Sequence, residues 1–332
     1  MSLSPLLKWY GKNKRDLPWR KNPQAYRIWL CEIIMQQTRI SQGISYYEKF
    51  VKAYPTPADL AAAPEDEVLK LWQGLGYYSR ARNLHAAAKS MNGKFPTTYE
   101  GVRALKGVGD YTAAAICSIA YNMPYAVVDG NVFRVLSRVF GIQTPIDSTD
   151  GKKEFSMLAQ KLLDKKNPGD FNQALMDFGA LVCTPQAPQC DKCPFEKKCV
   201  ARLKNQVEKF PVKAQKTKIS TRYFHYIYVE QGNYLWLHKR SGKDIWQNLY
   251  ELPLVETSDE KLTPPTWLGN AKITPVGKPV KHVLSHQIIY ARLYKVKISS
   301  SRKLPAGFLH ILKKDFPKYA ISRLVQKLVE QL

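Results

Sequence analysis

The sequence has no long apolar segment, no excess of glycine or proline, no internal repeat and little negative charge. No run approaches the roughly 18 apolar residues of a membrane-spanning helix. The first residues lack the basic segment and apolar core of a signal peptide, so we expect a cytoplasmic protein. The 18 Gly and 21 Pro among 332 residues exclude collagen-like and low-complexity chains. With 45% hydrophobic residues, the chain is predicted to be globular, with about two domains.

The charge is strongly one-sided. The chain carries 51 Lys and Arg against 27 Asp and Glu, a formal net charge of +24. Basic side chains gain affinity for a polyanion because they release its condensed counterions. Nucleic acid is therefore the favoured partner, ahead of an anionic membrane surface, while a basic surface that only keeps the protein soluble is the alternative.

The hydrophobic pattern divides the chain into two regions. Residues 1–209 show helical spacing and little strand-like alternation. The clearest helical segments are Ile28–Ile40, Glu65–Trp72, Thr112–Ala120 and Phe171–Leu181. The stretch 213–218 is polar, basic and free of aromatic residues, which predicts a linker over residues 210–221.

The region after this linker has a different composition. Aromatic and β-branched residues occur there in runs of strand length, and the final segment returns to helical spacing. The predicted strands are Tyr223–Val229, Tyr234–His238 and Ile288–Val296, and the predicted helix is Ala320–Leu332. We therefore predict a multidomain protein with a mainly α-helical region over 1–209 and a smaller α+β domain over 222–332.

Four of the six cysteines fall within a short segment in the pattern C-x6-C-x2-C-x5-C: Cys183, Cys190, Cys193 and Cys199. In a cytosolic chain such a group indicates a metal site more than disulfides. Zinc ribbons usually have two close cysteine pairs, whereas only Cys190 and Cys193 form one here. An iron–sulfur cluster held by four thiolates fits better, with zinc or ordinary thiols as alternatives. Cys31 and Cys117 stand alone in apolar stretches and are predicted to be inert core thiols.

Gly107, Val108 and Gly109 form a glycine-containing turn between a short helical segment and an Ala-rich helix. Glycines permit a tight backbone, and the free amides at a helix start can hold a phosphate. The alternative is a helix-to-helix turn that binds nothing.

Two carboxylates stand out. Glu32 interrupts the apolar helix Ile28–Met35, where burial raises the pKa of a carboxyl and keeps it protonated as a general acid; the alternative is a Glu that faces solvent. Asp129 follows an apolar stretch and precedes the helix Val132–Phe140, where a helix N-cap is the alternative. One protonated acid and one solvated carboxylate are what cleavage at an anomeric carbon requires.

Several longer motifs together are specific to one family: Arg15-Asp16-Leu17-Pro18-Trp19-Arg20, Trp29-Leu30-Cys31-Glu32, Met35-Gln36-Gln37-Thr38 and Gly74-Leu75-Gly76-Tyr77-Tyr78-Ser79-Arg80. Over nearly all of residues 5–210, and weakly beyond, the chain resembles MutY-type adenine DNA glycosylases, of the helix-hairpin-helix iron–sulfur group. The resemblance implies flipping and excision of adenine mispaired with 8-oxoguanine or guanine, which leaves an abasic site. It also implies a 4Fe-4S cluster on the four cysteines, double-stranded DNA as partner, no membrane, a monomer, and a bacterial cytoplasmic location at the nucleoid.

The same resemblance implies roles for individual residues. Glu32 matches the acid that protonates the adenine, and Asp129 matches the carboxylate that stabilises the sugar cation or a transient adduct. The other matches are Tyr111 and Asn131 beside that Asp, Arg15 and Gln173 in the adenine pocket, Gln37 and Tyr77 as wedges beside the oxidised guanine, and Gly107, Val108 and Gly109 as the phosphate-binding hairpin. Ordinary surface or core positions are the alternative for Gln37 and Tyr77. Tyr111 also holds the position of the lysine that bifunctional relatives use as a nucleophile, so strong lyase activity is not expected.

The last third of the chain resembles the MutT-like domain of the same family through the segment 246–253. Leu284, Ser285 and His286 fall where the family has a Phe-Ser-His loop that senses 8-oxoguanine. Ser285 and His286 fit, whereas Leu284 replaces the aromatic residue; a loop Ser and His without a ligand is the alternative. No Glu-x-x-Glu-Glu pattern occurs in residues 251–270, so pyrophosphatase activity is not expected.

Two rival functions remain open at this stage. One is a related glycosylase that acts on oxidised pyrimidines or on thymine in mismatches. The other is a non-catalytic iron–sulfur protein that binds damaged DNA. An acid buried in an apolar helix argues against a pure binder, since binding alone requires none.

Overall fold

The helical region and the α+β region predicted from the sequence are both present in the computed structural model, which describes residues 3, 5–214, 219–299, 302 and 305–332. Two compact units form: Met1–Ala61 with Ala86–Gln215, and Ala62–His85 with Lys216–Leu332. Part of the predicted linker, residues 215–218, lies outside the described residues. The sequence did not predict that residues 62–85 would join the second unit.

The first unit is built from helices. They are α1 Pro5–Asn13, α2 Pro18–Lys21, α3 Ala25–Met35, α4 Ile40–Ala53, α5 Pro57–Ala62, α8 Tyr99–Arg103, α9 Asp110–Tyr121, α10 Gly130–Phe140, α11 Thr149–Leu162, α12 Pro168–Leu181 and α13 Val200–Leu203. Local signals set several ends: Pro168 is the first residue of α12, where its missing N–H is not needed. Gly141 ends α10 at a φ of 70°, and a side chain there would collide with Val200. No helix among the described residues is long and apolar enough to cross a bilayer.

A core shared by α1, α10, α11 and α12 fixes their relative positions. Leu6, Val135, Phe155 and Phe178 are fully buried in it, and each such side chain contributes about 1.5–3 kcal/mol relative to exposure. Helix α3 packs against α4 and α9, and α12 also packs against α9. The packing therefore brings together residues that lie on α3, on α9, before α10 and on α12.

The second unit contains a mixed sheet of seven strands among the described residues, with the order β3-β2-β1-β6-β5; β4 pairs with β1 and β7 with β2. The strands are β1 Ser220–Gln231, β2 Tyr234–Lys239, β3 Tyr250–Glu251, β4 Leu254–Thr257, β5 Thr274–Val283, β6 Gln287–Lys297 and β7 Phe308–Leu312. Strands β1 and β6 are parallel, whereas β5 and β6 form an antiparallel hairpin whose turn carries Ser285 and His286. Helix α14, Arg323–Val329, packs on the sheet through Leu324 and Leu328.

The helix α6, Glu65–Trp72, and the start of α7, Ser79–Ser90, complete this unit. The attachment is polar. Asp66 accepts hydrogen bonds from Lys239 Nζ and from Tyr250 Oη, both at 2.7 Å. Long-range pairs of this kind leave no periodic signal in the sequence, which is why the grouping was not predicted.

Candidate active site

One cavity of about 220 Å³ in the first unit collects six of the residues that the sequence singles out. They are Arg15, Glu32, Tyr111, Asp129, Asn131 and Gln173. Much of the remaining lining is apolar and includes Trp19, Met35 and Met176. The two carboxylates, placed 97 positions apart by the numbering, therefore line the same small cavity.

Glu32 lies on α3 between buried residues. Burial raises the pKa of its carboxyl from 4.5 to about 7; a hydrogen bond with the Tyr111 hydroxyl opposes this shift, and the charge of Asp129 adds to it. Burial also raises the pKa of Tyr111, so its hydroxyl keeps its proton near neutral pH. The raised pKa agrees with the burial predicted from the sequence, and a carboxyl with these properties can donate a proton at neutral pH.

Asp129 is the N-cap of α10, which is the alternative that the sequence offered for this residue. Its Oδ1 accepts a hydrogen bond from the Val132 N–H at 2.7 Å, and its Oδ2 accepts one from Asn131 Nδ2 at 2.8 Å. The positive end of the helix favours a negative charge there. The same carboxylate lines the cavity that Glu32 lines, so the side chain both caps the helix and forms part of the cavity wall.

Asn131 is held in turn by a buried arginine. Arg134 Nη2 donates to Asn131 Oδ1 at 2.8 Å and to the Gly179 carbonyl at 2.7 Å. A side chain at Gly179 would lie 2.6 Å from Asn131 Cβ, so glycine is required for this approach of α12. The sequence reading missed Arg134, although a basic residue inside the apolar helix 132–140 was a usable signal.

A second residue that the sequence reading missed lies behind Arg15. Asp177, on α12, is fully buried and forms ion pairs with Arg15 and Arg20. Burial alone would raise the pKa of Asp177, but hydrogen bonds from Arg20 and Arg15 outweigh it and the pKa is lowered. These contacts fix two guanidinium groups at the cavity wall.

The four clustered cysteines line a single small space in the first unit: Cys183, Cys190, Cys193 and Cys199. Arg138, 2% exposed, organises the loop by donating to the Thr184 carbonyl at 2.7 Å and to Cys183 Sγ at 3.5 Å. The pKa of Cys193 is raised to about 12, mainly by burial and partly by the other three thiols, against a hydrogen bond from the Phe195 N–H. Across the described residues, no three His, Cys, Asp or Glu side chains are close enough to hold a single metal ion.

The predicted hairpin joins α8 to α9. Val108 is buried, and its carbonyl accepts a hydrogen bond from Arg103 Nη1 at 2.9 Å, which fixes the turn. Gly107 has a φ of 82°, so its backbone requires glycine. Gly109, the N-cap of α9, has a φ of −97°, and a Cβ there would meet nothing within 4 Å. Within the chain, neither strain nor crowding explains glycine at position 109.

Gln37 and Tyr77, the predicted wedge residues, are both in the left-handed region of the backbone, with φ of 53° and 46°. Such residues are uncommon outside glycine and concentrate at functional sites. Gln37 is exposed between α3 and α4, in the first unit. Tyr77 belongs to the second unit and is 45% exposed despite its large ring.

A second cavity, of about 260 Å³, lies within the second unit. Tyr77, Leu284, Ser285 and His286 all line it. Ser285 Oγ and His286 Nδ1 are 3.1 Å apart, in the exposed turn between β5 and β6. The predicted sensing loop and one predicted wedge residue are therefore neighbours.

Comparison with known proteins agrees with these observations. Residues 30–164 match the HhH-GPD superfamily base excision DNA repair protein family, and residues 225–331 match the NUDIX domain. The adenine DNA glycosylase of Buchnera aphidicola subsp. Acyrthosiphon pisum (strain APS) is 36% identical over 273 residues, 81% of this chain and 77% of that protein. The adenine DNA glycosylase of Homo sapiens is 46% identical over 216 residues, 61% of this chain and 40% of that protein.

Solved structures share the fold of the first region. A thermostable thymine-DNA glycosylase is 32% identical, with a TM-score of 0.57, and the match covers 60% of this chain and 94% of that chain. A non-covalent endonuclease III–DNA complex, 24% identical with a TM-score of 0.53, covers 61% of this chain and 94% of that chain, and it supports the fold alone. The resemblance stated from the motifs is confirmed: this chain belongs to the adenine DNA glycosylase family of base-excision repair enzymes.

Proposed function

We propose that the enzyme removes adenine mispaired with 8-oxoguanine or guanine by hydrolysing the N-glycosidic bond, and leaves an abasic site. The observation that carries this proposal is the single cavity shared by Glu32, Asp129 and four further predicted residues. A stacked base cannot enter such a cavity, so the adenine is flipped out of the duplex.

The two carboxylates divide the chemistry between them. Glu32, protonated near neutral pH, donates its proton to the five-membered ring of the adenine and makes it a better leaving group. Asp129 stabilises the positive sugar that develops, directly or through a transient adduct. Asn131 and the Val132 amide keep that carboxylate oriented through hydrogen bonds of 2.8 and 2.7 Å.

Recognition of adenine is assigned to Arg15 and Gln173 at the cavity wall. Asp177 positions Arg15, and Gln173 Nε2 is anchored by donating to the Gly169 carbonyl at 3.3 Å. None of the described residues that line the cavity is a lysine, which favours hydrolysis without strong lyase activity.

Contact with duplex DNA is assigned to separate parts of the chain. The hairpin 107–109 binds a phosphate, Gln37 and Tyr77 wedge beside the oxidised guanine, and Ser285 with His286 senses it. The formal charge of +24 supports binding to a phosphate backbone. In this proposal residues 1–209 carry the chemistry, residues 210–221 link the regions, residues 222–332 recognise the partner base, and a monomer acts in the cytoplasm.

Excision is expected to slow as the pH rises through about 7. Burial raises the pKa of Glu32 to about 7, and only the protonated carboxyl can donate. The single-turnover rate should therefore be flat at lower pH and fall about tenfold per unit well above the pKa. Measuring that rate and duplex binding in parallel, from about pH 5 to about pH 9, separates the two steps. A rate that increases through neutrality would show that Glu32 is not the acid.

The Gly109→Ala variant is expected to bind duplex DNA more weakly with little change in folding. A Cβ at position 109 meets nothing within 4 Å inside the chain, so the added methyl obstructs only a phosphate brought to the helix amides. Loss of one such contact predicts about a 5- to 30-fold rise in Kd. Gly11→Ala, at another site with nothing within 4 Å, is the matched control. Unchanged DNA affinity of Gly109→Ala would remove the hairpin from the interface.

We propose that the four clustered cysteines hold a 4Fe-4S cluster. They line one space in the first unit, and their C-x6-C-x2-C-x5-C pattern has a single close pair where zinc ribbons usually have two. The role proposed for the cluster is structural, because it would hold the cysteine loop that Arg138 also anchors. Purified protein should be brown, with absorption in the blue and about four irons per chain. Stoichiometric zinc without iron would refute this proposal.

The decisive experiment measures single-turnover base release from four duplexes: adenine opposite 8-oxoguanine, adenine opposite guanine, thymine opposite guanine, and an oxidised pyrimidine. Adenine release that is fastest opposite 8-oxoguanine, with strand scission only after alkali, is the expected result. Thymine release would favour the activity named for the solved thymine-DNA glycosylase to which the first region is similar. Tight binding without release of a base from any duplex would favour a non-catalytic protein that binds damaged DNA.

A further inference from the structure

The cavity of about 260 Å³ in the second unit has an aromatic wall that the Leu284-Ser285-His286 turn itself does not supply. We propose that Trp246 provides this wall, stacks on the base opposite adenine, and sets the preference for 8-oxoguanine over guanine in place of the aromatic residue that Leu284 replaces. This inference rests on the proposed mispair specificity and names the residue that produces it.

Side-chain packing places Trp246 next to the turn. Its indole makes an edge-to-face contact with His282 on β5 at 5.8 Å and with Phe224 on β1 at 6.3 Å. Leu284 and Trp246 both pack against the same buried cluster under the sheet. Leu284 therefore contributes to packing at the cavity floor, and Trp246 is the partly buried aromatic residue beside it that lines the cavity.

The backbone at Trp246 is strained. Its φ is 61°, and that of Asn248 is 66°. Asparagine tolerates the left-handed region, but a bulky residue there is a genuine outlier. Such strain persists only where the surroundings over-determine the conformation, and it concentrates at functional sites. The strain is explained if it aims the indole at a ligand.

Several hydrogen bonds fix the loop that carries Trp246. Asp244 accepts hydrogen bonds from Arg222 Nη2 at 2.8 Å and from Arg240 Nη2 at 2.9 Å, while Arg240 Nε donates to the Ile245 carbonyl at 3.1 Å. On the other side of Trp246, Asn248 Nδ2 donates to Glu65 Oε1 at 2.6 Å. Contacts on both sides therefore hold the indole in place before any base arrives.

The same loop is tied to the helix that follows Tyr77. Arg82 Nη1, on α7, donates to the Gln247 carbonyl at 2.8 Å, and both Arg82 and Trp246 line the cavity with Tyr77. Two aromatic side chains in left-handed conformations, Tyr77 and Trp246, thus line one cavity beside Ser285. Stacking on an indole accepts any base, so the discrimination falls to the Ser285 hydroxyl and the His286 imidazole, which can hydrogen-bond to an oxidised purine that the indole holds against them.

The test compares adenine excision opposite 8-oxoguanine with excision opposite guanine, in single-turnover reactions of the full-length protein. Trp246→Leu removes the aromatic face that holds the base against Ser285 and His286, and should lower the ratio of the two rates about 5- to 150-fold, because the reaction opposite 8-oxoguanine loses more than the reaction opposite guanine. Trp246→Phe should keep most of the ratio. Leu284→Phe added to Trp246→Leu should restore part of it by returning an aromatic ring to the turn.

Trp267→Leu is the matched control, because Trp267 lies in the same unit and packs against Trp236 at 5.7 Å but does not line the cavity. A normal ratio in Trp246→Leu would overturn the inference, and so would an equal slowing on both duplexes, which marks a purely structural role. The wild-type ratio tests the proposed function separately: without a preference for 8-oxoguanine there, that function fails before any variant is compared.

Discussion

The Glu32→Gln variant is expected to excise adenine about 10²- to 10⁴-fold more slowly than the wild type, while its affinity for the mispaired duplex stays unchanged. The amide has nearly the shape of the protonated carboxyl, so the cavity is preserved, but it cannot deliver a proton. Single-turnover excision and equilibrium binding to the same duplex give the two readouts.

Glu48→Gln is the matched control, since the same change is made on the exposed face of α4. Its excision rate should equal that of the wild type. Excision by Glu32→Gln within a few-fold of the wild-type rate would refute the acid role, and a parallel loss of DNA binding would show that Glu32 acts through structure.

The physical origin of the acid can be tested in the same variant. The folded protein raises the pKa of Glu32 from 4.5 to about 7, so the folded state binds a proton more tightly than the unfolded chain does. The sign follows: ionised Glu32 destabilises the fold, with no penalty below about pH 4.5 and the full penalty above about pH 7. That rise corresponds to roughly 3 kcal/mol. Glu32→Gln should therefore unfold at higher denaturant concentration than the wild type above pH 7, and at a similar one in acid.

Glu32 and Asp177 show how far the sequence alone can go. Both are acids in apolar helices, but only Glu32 was singled out from the pattern. Their surroundings shift the two pKa values in opposite directions. Burial raises the pKa of Glu32, whereas Arg20 and Arg15 outweigh burial and lower the pKa of Asp177. Those partners lie more than 150 positions away in the chain. Periodicity reports on local structure and not on such pairs, so the role of Asp177 was not predictable.

The same limit applies to the boundaries of helices and to the question of which side chains meet in the fold. The sequence predicted one helix over Ile28–Ile40, but the structure ends α3 at Met35 and begins α4 at Ile40, with Gln37 left-handed between them. Neither glycine nor proline marks this break, so propensity rules could not find it. The predicted strand Ile288–Val296 lies close to the observed β6, Gln287–Lys297, because aromatic and β-branched runs depend on local composition, whereas β5, Thr274–Val283, was not predicted. The role proposed for Trp246 depends on which side chains line one cavity, and this can be seen only in the folded structure.

The largest expected effect on stability comes from Asp177. Asp177→Asn removes the charge that two guanidinium groups share: Arg20 Nη1 donates to Oδ2 at 2.8 Å and Arg15 Nε to Oδ1 at 2.8 Å. The carboxylate is fully buried, and the side chains of Arg15 and Arg20 are only 26% and 13% exposed. Loss of one partner from a buried ion pair leaves uncompensated charge, which typically costs about 3–5 kcal/mol of unfolding free energy.

Asp16→Asn provides the contrast, because Asp16 pairs with Lys21 at 3.3 Å and both side chains are more than 70% exposed. An exposed pair contributes about 0–1 kcal/mol, so this variant should denature almost like the wild type. Similar denaturation midpoints for Asp16→Asn and Asp177→Asn would show that the buried pairs only offset their own desolvation.

The pH dependence separates charge from shape at Asp177. Its pKa is lowered in the folded state, so its contribution is complete above about 3.8 and is lost as the pH falls through the folded-state pKa. The stability difference between wild type and Asp177→Asn should therefore shrink in acid, where both carry a neutral side chain of nearly the same shape. A difference that persists unchanged at low pH would assign the effect to packing. Because the same two arginines line the cavity, the variant should also lose adenine excision at neutral pH, even under conditions in which it remains folded.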